Sequence, residues 1–377
     1  LHRMIQCHWY HVISEHADIK FGAAKSKCAR LIITYGWDSK RTLNDREPLN
    51  FQAMEPAAIL QPNHCSLAIC ICTFKRHEGL VRLLEGLNNQ FFSAAPPEIL
   101  LIIVDNSREG DAAQICESDD WAWPMLYLHE PLPGISYARN KGLAAVPIDS
   151  DFIAMIDDDE IPDPDWLDQL LAAQGRSGAD IIVGRTTPEF PIATPGWIPA
   201  TGFFCKPQDP ENYQDLDPDT PAATCNVLVS AQALRESRLS FDPSLALSGG
   251  EDKLFFQSLK ILGYRFAWCY HAHATEHIPT ERANFAYMWR EAYRRGCVKF
   301  PVKQRLKSGS LLRSVKMCLR LCIRSLFRIA TDLVGVIINL RRGRPIWVPH
   351  VLNIADHLGT IAGVLQIPNR HYRPKGT

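Results

Sequence analysis

From Leu67 onward, short continuous apolar runs alternate with segments whose apolar residues recur every three or four positions. Continuous runs bounded by turn residues predict buried strands, and the three-four recurrence predicts amphipathic helices. Strands are expected at Leu67–Thr73, Glu98–Val104, Met125–His129, Asp151–Ile156, Ala179–Arg185, Thr224–Ser230 and Tyr264–Trp268. Helices are expected at Leu80–Asn88, at Ile135–Ala145 after the Pro133-Gly134 break, and at Pro164–Ala173. Two more are expected at Lys253–Leu262, ended by Gly263, and at Asn284–Arg295. Such alternation predicts an α/β fold with an open, mainly parallel sheet and helices on both faces. The Pro-rich stretch 186–222 lacks periodicity and reads as a long loop.

A different pattern follows residue 300. In Leu311–Ile329 the apolar residues Leu312, Val315, Leu319, Cys322, Ile323, Leu326 and Ile329 recur at three and four, while Arg313, Lys316, Arg320, Arg324 and Arg328 take other positions. This predicts a basic amphipathic helix, suited to an anionic membrane interface. Val351–Leu365 is a second apolar, helical candidate. The rival use is a helical lid packed on the preceding domain. Nucleic-acid binding is set aside, because the apolar stripe is as marked as the basic one. Three parts result: an N-terminal extension over 1–65, a catalytic domain over 66–300 and a basic amphipathic helical tail over 301–377. Residues 1–53 show little periodicity. They read either as sequence upstream of a true start at Met54 or as a genuine extension.

Composition changes the picture at one point. The chain has 377 residues with 41 basic and 41 acidic side chains. These are ordinary globular values, which exclude a disordered or disulfide-scaffold protein. The zero net charge hides an asymmetry, since residues 301–377 hold fourteen Lys and Arg against only Asp332 and Asp356. The acidic excess lies in the body. Charge segregated in this way predicts two kinds of partner. The twelve Cys form no C-x-x-C pair and read as small apolar residues of a reducing compartment.

In an open α/β sheet, ligands bind beyond the carboxyl ends of the strands. Three expected strands end in polar residues: Thr73, Asp105 and the run Asp157-Asp158-Asp159-Glu160. Adjacent acids repel, and a hard divalent cation relieves that repulsion. In an extended segment Asp157 and Asp159 point to one side. The plainer reading is an acidic loop capping the next helix. Gly249-Gly250-Glu251-Asp252 opens another helix, where Asp252 is either an N-cap or a general base facing the acids.

These residues fall into five ordered motifs. They are Ile71-Cys72-Thr73-Phe74-Lys75-Arg76, Val104-Asp105-Asn106-Ser107, Gly134-Ile135-Ser136-Tyr137-Ala138-Arg139-Asn140-Lys141-Gly142, Ile156-Asp157-Asp158-Asp159-Glu160 and Gly249-Gly250-Glu251-Asp252. Together, from about Leu67 to Gly296, they resemble the family 2 glycosyltransferases, which have the GT-A fold and use nucleotide-sugar donors. The resemblance implies that Thr73, Arg76, Asp105, Arg139, Asn140 and Asp158 serve the nucleotide-sugar. It implies that Asp157 and Asp159 hold Mg²⁺ or Mn²⁺, with His277 as a further candidate. It implies Asp252 as catalytic base and Glu251 as its neighbour at the acceptor. For His277, and for His271 and His273, a polar strand end is the alternative.

The implied activity is inverting sugar transfer from a nucleoside-diphosphate sugar to a saccharide or lipid-linked acceptor in cell-surface polysaccharide synthesis. The expected address is cytoplasmic, peripheral on the inner face of the plasma membrane. The Q-x-x-R-W element of processive synthases is absent near 284–296, where Tyr287-Met288-Trp289-Arg290 stands. That favours transfer of one sugar per encounter. Arg290, Arg294 and Arg295 either meet a phosphate or form a solvated helix face. Trp197, Phe203 and Phe204 either stack on an acceptor sugar or fill an ordered loop. The remaining alternatives are a catalytically silent sugar-nucleotide or lipid-binding protein on this fold, and a nucleotidyltransferase. The latter wants a Gly-rich, Arg-containing loop after the first strand, which Thr73–Glu78 does not offer.

Overall fold

The computed structural model describes residues 65–118, 120–205, 214–307 and 311–367. The expected N-terminal extension lies outside the described residues, apart from Cys65.

The first half of the domain follows the alternation in the sequence. The elements are β1 (Ser66–Thr73), α1 (His77–Asn88), β2 (Glu98–Asp105), a single turn α2 (Ala113–Cys116), β3 (Met125–His129), α3 (Ile135–Ala144) and β4 (Phe152–Ile156). Strands β1 to β4 pair in parallel, in the order β3-β2-β1-β4. Period-two alternation sends Leu67, Ile69 and Ile71 to one face, against Leu80, Leu83, Leu84 and Leu87 of α1. Ala68 faces the other way, against Ala138 of α3.

The second half keeps some parallel pairing and adds antiparallel pairs, so that four of the seven strand pairings in the sheet are parallel. It comprises β5 (Glu160–Pro162), α4 (Trp166–Ser177), β6 (Ile181–Glu189), β7 (Asn226–Ser230), α5 (Ala231–Ser237), α6 (Glu251–Ile261) and β8 (Phe266–His277). The sheet continues from β4 as β7-β6-β8-β5, with antiparallel pairings β4–β7, β6–β7 and β5–β8. The sheet is therefore mixed, and eight strands wide. Phe255, Phe256 and Leu259 of α6 pack on Ile153, Met155, Val183 and Val229, so helices do cover both faces. Strand β8 runs well past Trp268. Ala272 and Ala274 point inward while His271, His273 and Thr275 point out, a period-two pattern too polar to read as strand.

Helices α7 (Phe285–Cys297), α8 (Lys299–Leu306), α9 (Leu311–Asn339) and α10 (Arg344–Val364) complete the chain. Helix α9 continues ten residues beyond the expected Ile329. Helix α10 packs on α7 at backbone contact. A Cβ added to Gly359 would overlap the backbone of Tyr293, and one added to Gly296 or Gly363 would overlap Asp356 or Cys297. Asp332 of α9 meets His350 of α10 at 2.8 Å. The loop aromatics join this layer: Phe204 stacks on Tyr287, and Phe190, Trp197 and Phe203 pack around it beside Val348 and Leu352. Those rings fill a structural cluster rather than an open acceptor shelf. No described helix is long and apolar enough to cross a membrane.

Gly359→Leu is expected to wedge α10 off α7 and to cost about 1–3 kcal/mol, the usual range for overpacking. Urea denaturation monitored by circular dichroism measures it as a lower midpoint with an unchanged slope.

Candidate active site

The ends of β1, β2 and β4 and the starts of α3 and α6 converge on one crevice at the carboxyl edge of the parallel strands. Asp105 closes β2 and is wholly buried. Its oxygens accept from the backbone N–H of Ser107 at 2.7 Å and of Ala112 at 2.9 Å, and from the Tyr127 hydroxyl at 3.1 Å. Asp105 thus shapes the loop after β2 from beneath. Next to it, Asn106 donates to the carbonyls of Glu130 and Leu132 and accepts from Gly134 N–H at 3.0 Å. This fixes Gly134, whose φ of 134° opens α3.

The acid run divides by burial. Asp158 points inward, accepting from the Thr73 hydroxyl at 2.8 Å and from Arg76 at 2.7 Å. Burial pushes its carboxyl up to about 6, against the pull of Arg76. Burial also works against the charge on Arg76, yet the facing carboxylates hold its value above the ordinary one. Asp159 receives Arg76 at 2.9 Å and Arg282 at 3.1 Å. Its carbonyl accepts from His277 N–H at 2.8 Å, so the end of β8 lies beside the acid run. The His277 ring itself leans towards Glu189, at 3.8 Å. Asp157 is the more open acid and lies 3.6 Å from Arg139.

Arg139 joins this side to the start of α6. Its guanidinium is ion-paired with Glu251 and lies 5.5 Å from the Phe241 ring centre. Glu251 is buried, which raises its carboxyl above the ordinary range while Arg139 opposes the shift. Its second oxygen, Oε2, is buried without a hydrogen-bond partner among the described residues. Asn140 spends its amide on the Phe241 backbone, with two bonds of 2.8 Å. It therefore anchors a wall of the crevice. Asp252 sits in the first turn of α6, half-buried and free of ion pairs among the described residues. It is not the N-cap. That position belongs to Gly250, at φ 88°, and Gly250 leaves no room for a side chain against Val298 and Val302.

Other candidates have structural partners. Arg294 and Arg295 both bind Glu291 on their own helix, which offsets one of their two charges. Arg294 also donates to the Ser248 carbonyl, bracing the loop before Asp252. His273 bonds Thr187 and Asp163, and so belongs to the sheet edge. Arg282 was not singled out in the sequence, since a lone Arg in a loop carries no periodic signal.

Among the described residues no group of three or more His, Cys, Asp or Glu is arranged to hold a metal. Asp157 and Asp159, in the turn after β4, nonetheless supply hard carboxylate oxygens, those of Asp159 shared with Arg76 and Arg282. Mg²⁺ and Mn²⁺ commonly take one or two carboxylates and complete their shell with substrate phosphate and water. The donor set therefore fits such an ion.

A mixed sheet that opens an acid-lined crevice beyond its parallel strands, with a carboxylate at a nearby helix start, is the arrangement of the GT-A fold. A mannosyltransferase from Pyrobaculum calidifontis, solved in complex with GDP-mannose and Mn²⁺, shares the fold with a TM-score of 0.53 at 12% identity, over 81% of this chain and 89% of that one. Residues 68–234 match the family described as Glycosyl transferase family 2. The succinoglycan biosynthesis protein ExoM of Rhizobium meliloti is 30% identical over 238 residues, covering 60% of this chain and 72% of that protein. A glucosyl-dolichyl phosphate glucuronosyltransferase of Haloferax volcanii is 29% identical over 142 residues, covering 37% of this chain and 43% of that protein. The chain belongs to glycosyl transferase family 2 and is a glycosyltransferase.

Burial would raise Glu291, but Arg294 and Arg295 pull it down to about 2. A carboxyl depressed on folding contributes stability above its unfolded value, and that stability fades as pH falls towards the folded one. Glu291→Gln is therefore expected to cost about 3 kcal/mol at neutral pH. The difference from wild type should shrink as pH drops from about 5 to about 3, in urea denaturation at a series of pH values.

Proposed function

We propose that this glycosyltransferase moves a sugar, with inversion, from a nucleoside-diphosphate donor to a hydroxyl of a saccharide or lipid-linked acceptor during surface-polysaccharide assembly. The observation that carries this reading is the contrast between two neighbouring acids. Glu251 is buried and clamped by Arg139, whereas Asp252 is half-buried and has no ion pair among the described residues.

Asp252 takes the proton of the acceptor hydroxyl as its oxygen bonds to the anomeric carbon. The bond from that carbon to the diphosphate oxygen breaks on the opposite face, which inverts the centre. A single base suffices, unlike the paired carboxylates of a glycosidase. Asp157 and Asp159 hold the divalent cation, and His277 borders that position. When bound, the cation neutralises charge developing on the diphosphate. Thr73, Arg76 and Asp158 fix the floor beneath the donor, and Asp105 and Asn140 hold the walls of the nucleoside pocket. Arg139 keeps Glu251 and Asp157 in register, and Glu251 supports the acceptor side as the neighbour of Asp252. The exposed apolar residues of α9, flanked by its arginines, suit attachment to an anionic membrane surface. The cytoplasmic inner face of the plasma membrane is the proposed address.

Asp252→Asn is expected to lower turnover by about 10²–10⁴-fold, the usual contribution of a general base. Nucleoside-diphosphate binding, measured by calorimetry, should be nearly unchanged. Full activity in this variant rules out Asp252 as base. Asp159→Ala should weaken nucleotide binding in Mn²⁺ much more than in chelator. Equal losses in both media count against the metal assignment.

A further inference from the structure

Helices α8 and α9 enclose a groove of about 550 Å³. Lys303 and Lys307 line one wall, and Arg313, Lys316, Arg320 and Arg324 line the other. A second cavity of about 250 Å³ shares Lys303, Leu321 and Arg324 and leads to Lys299 and Lys253. Lys253 is the neighbour of Asp252. No acidic side chain lines either space. Among the described residues, Lys303, Arg313, Lys316, Arg320 and Arg324 have no ion-pair partner. Lys299 is the exception in the second cavity, being paired with Asp356. Burial and the nearby Lys253, Arg324, Lys299 and Lys307 all lower Lys303 below its ordinary value. Like charges gathered in a concave space focus a positive field, which a multivalent anion relieves.

The same helix carries an apolar stripe. Leu312, Val315, Leu319 and Ile323 are exposed, and each directly precedes a basic residue of the groove or its rim. Successive helical residues are about 100° apart, so the apolar and basic stripes run side by side. From Arg313 to Arg324 the basic stripe extends about 16 Å. Ser325 and Asp332 are buried, Asp332 against His350, so the opposite face of α9 is turned to α10. The helix thus offers its apolar stripe outward and its cations sideways, into a groove that continues to Lys253 at the start of α6.

We propose that this groove binds the phosphate or diphosphate headgroup of the lipid that carries the acceptor saccharide, with the apolar stripe of α9 lying in the bilayer interface. A soluble phosphate has no use for the apolar stripe, and a generic membrane contact has no use for cations gathered in a concave groove. The proposal rests on the transferase reading above, and it names the acceptor's anchoring site.

The test uses three kinds of vesicle: phosphatidylcholine alone, phosphatidylcholine with phosphatidylglycerol, and phosphatidylcholine with a polyprenyl diphosphate at matched charge. Sedimentation should show the wild-type chain preferring the diphosphate vesicles over the phosphatidylglycerol ones. Arg320→Gln with Arg324→Gln should lower affinity for diphosphate vesicles roughly thirtyfold, on about a tenfold-or-less loss per basic side chain, and abolish the preference. Leu319→Ser with Ile323→Ser should reduce binding to every vesicle while the preference persists. Unchanged thermal midpoints confirm that the variants fold. Equal wild-type binding to both anionic vesicles overturns the proposal, as does an unaffected arginine variant. Inorganic pyrophosphate binding the groove as tightly as the diphosphate vesicles overturns the lipid assignment. Mn²⁺-dependent nucleotide binding, measured in parallel, reports on the catalytic crevice. Its absence alongside an intact vesicle preference sinks the metal-dependent nucleotide-donor reading and leaves the groove standing.

Discussion

A buried guanidinium organises this molecule. Arg139 cannot lose its proton, and burying its charge without partners costs several kcal/mol. Its compensation comes from two distant parts of the chain, Glu251 at the start of α6 and Asp157 after β4. Burying that charge is favourable only when both carboxylates come to it, so the charge balance of one side chain ties the acid run to the start of α6. The residue after Arg139 reinforces this, since the Asn140 amide grips the backbone of Phe241 and sets that ring beneath the guanidinium.

The parallel half of the sheet was legible because its strands are continuous apolar runs with polar ends. Met125–His129 emerges with the expected limits. Strand β8 was not, because the histidines on its outer face hide the alternation. Nor does an open α/β pattern reveal that β7 enters antiparallel, since the connection before it is a loop without periodicity. At the site, residue type predicted position better than role. A polar residue at a strand end belongs near the crevice. Only the fold tells whether its oxygens turn outward or, as in Asp105 and Asp158, into the protein. Arg282 shows the converse. Nothing around it in the sequence marks it, yet it reaches Asp159 at 3.1 Å.

The electrically neutral chain is best understood as two fields. The acids of the body are partly spent on internal arginines, as at Asp158, Asp159, Glu251 and Glu291. The C-terminal cations find few such partners. Asp356 takes Lys299 and Asp332 takes His350, which uses both acids of residues 301–377. Among the described residues the arginines and lysine of α9 find no acidic partner. This difference in internal compensation, more than net charge, separates the body from its helical appendage.

Helix geometry then explains why two adjacent acids diverge. Glu251 and Asp252 stand about 100° apart on the first turn of α6. When one faces Arg139, the other is directed away from it. Which one turns inward depends on the position of the helix start. Gly250, at φ 88°, begins the helix, and Val298 and Val302 of the adjoining segment pack against it. Arg294 holds Ser248 just before, and is itself held by Glu291. A slip of one residue at this start would bury Asp252 and expose Glu251, exchanging a short acid for a longer, more mobile one. The pair Arg294–Glu291 thus braces the helix start whose register turns Glu251 to Arg139 and leaves Asp252, on its shorter stem, to the other side.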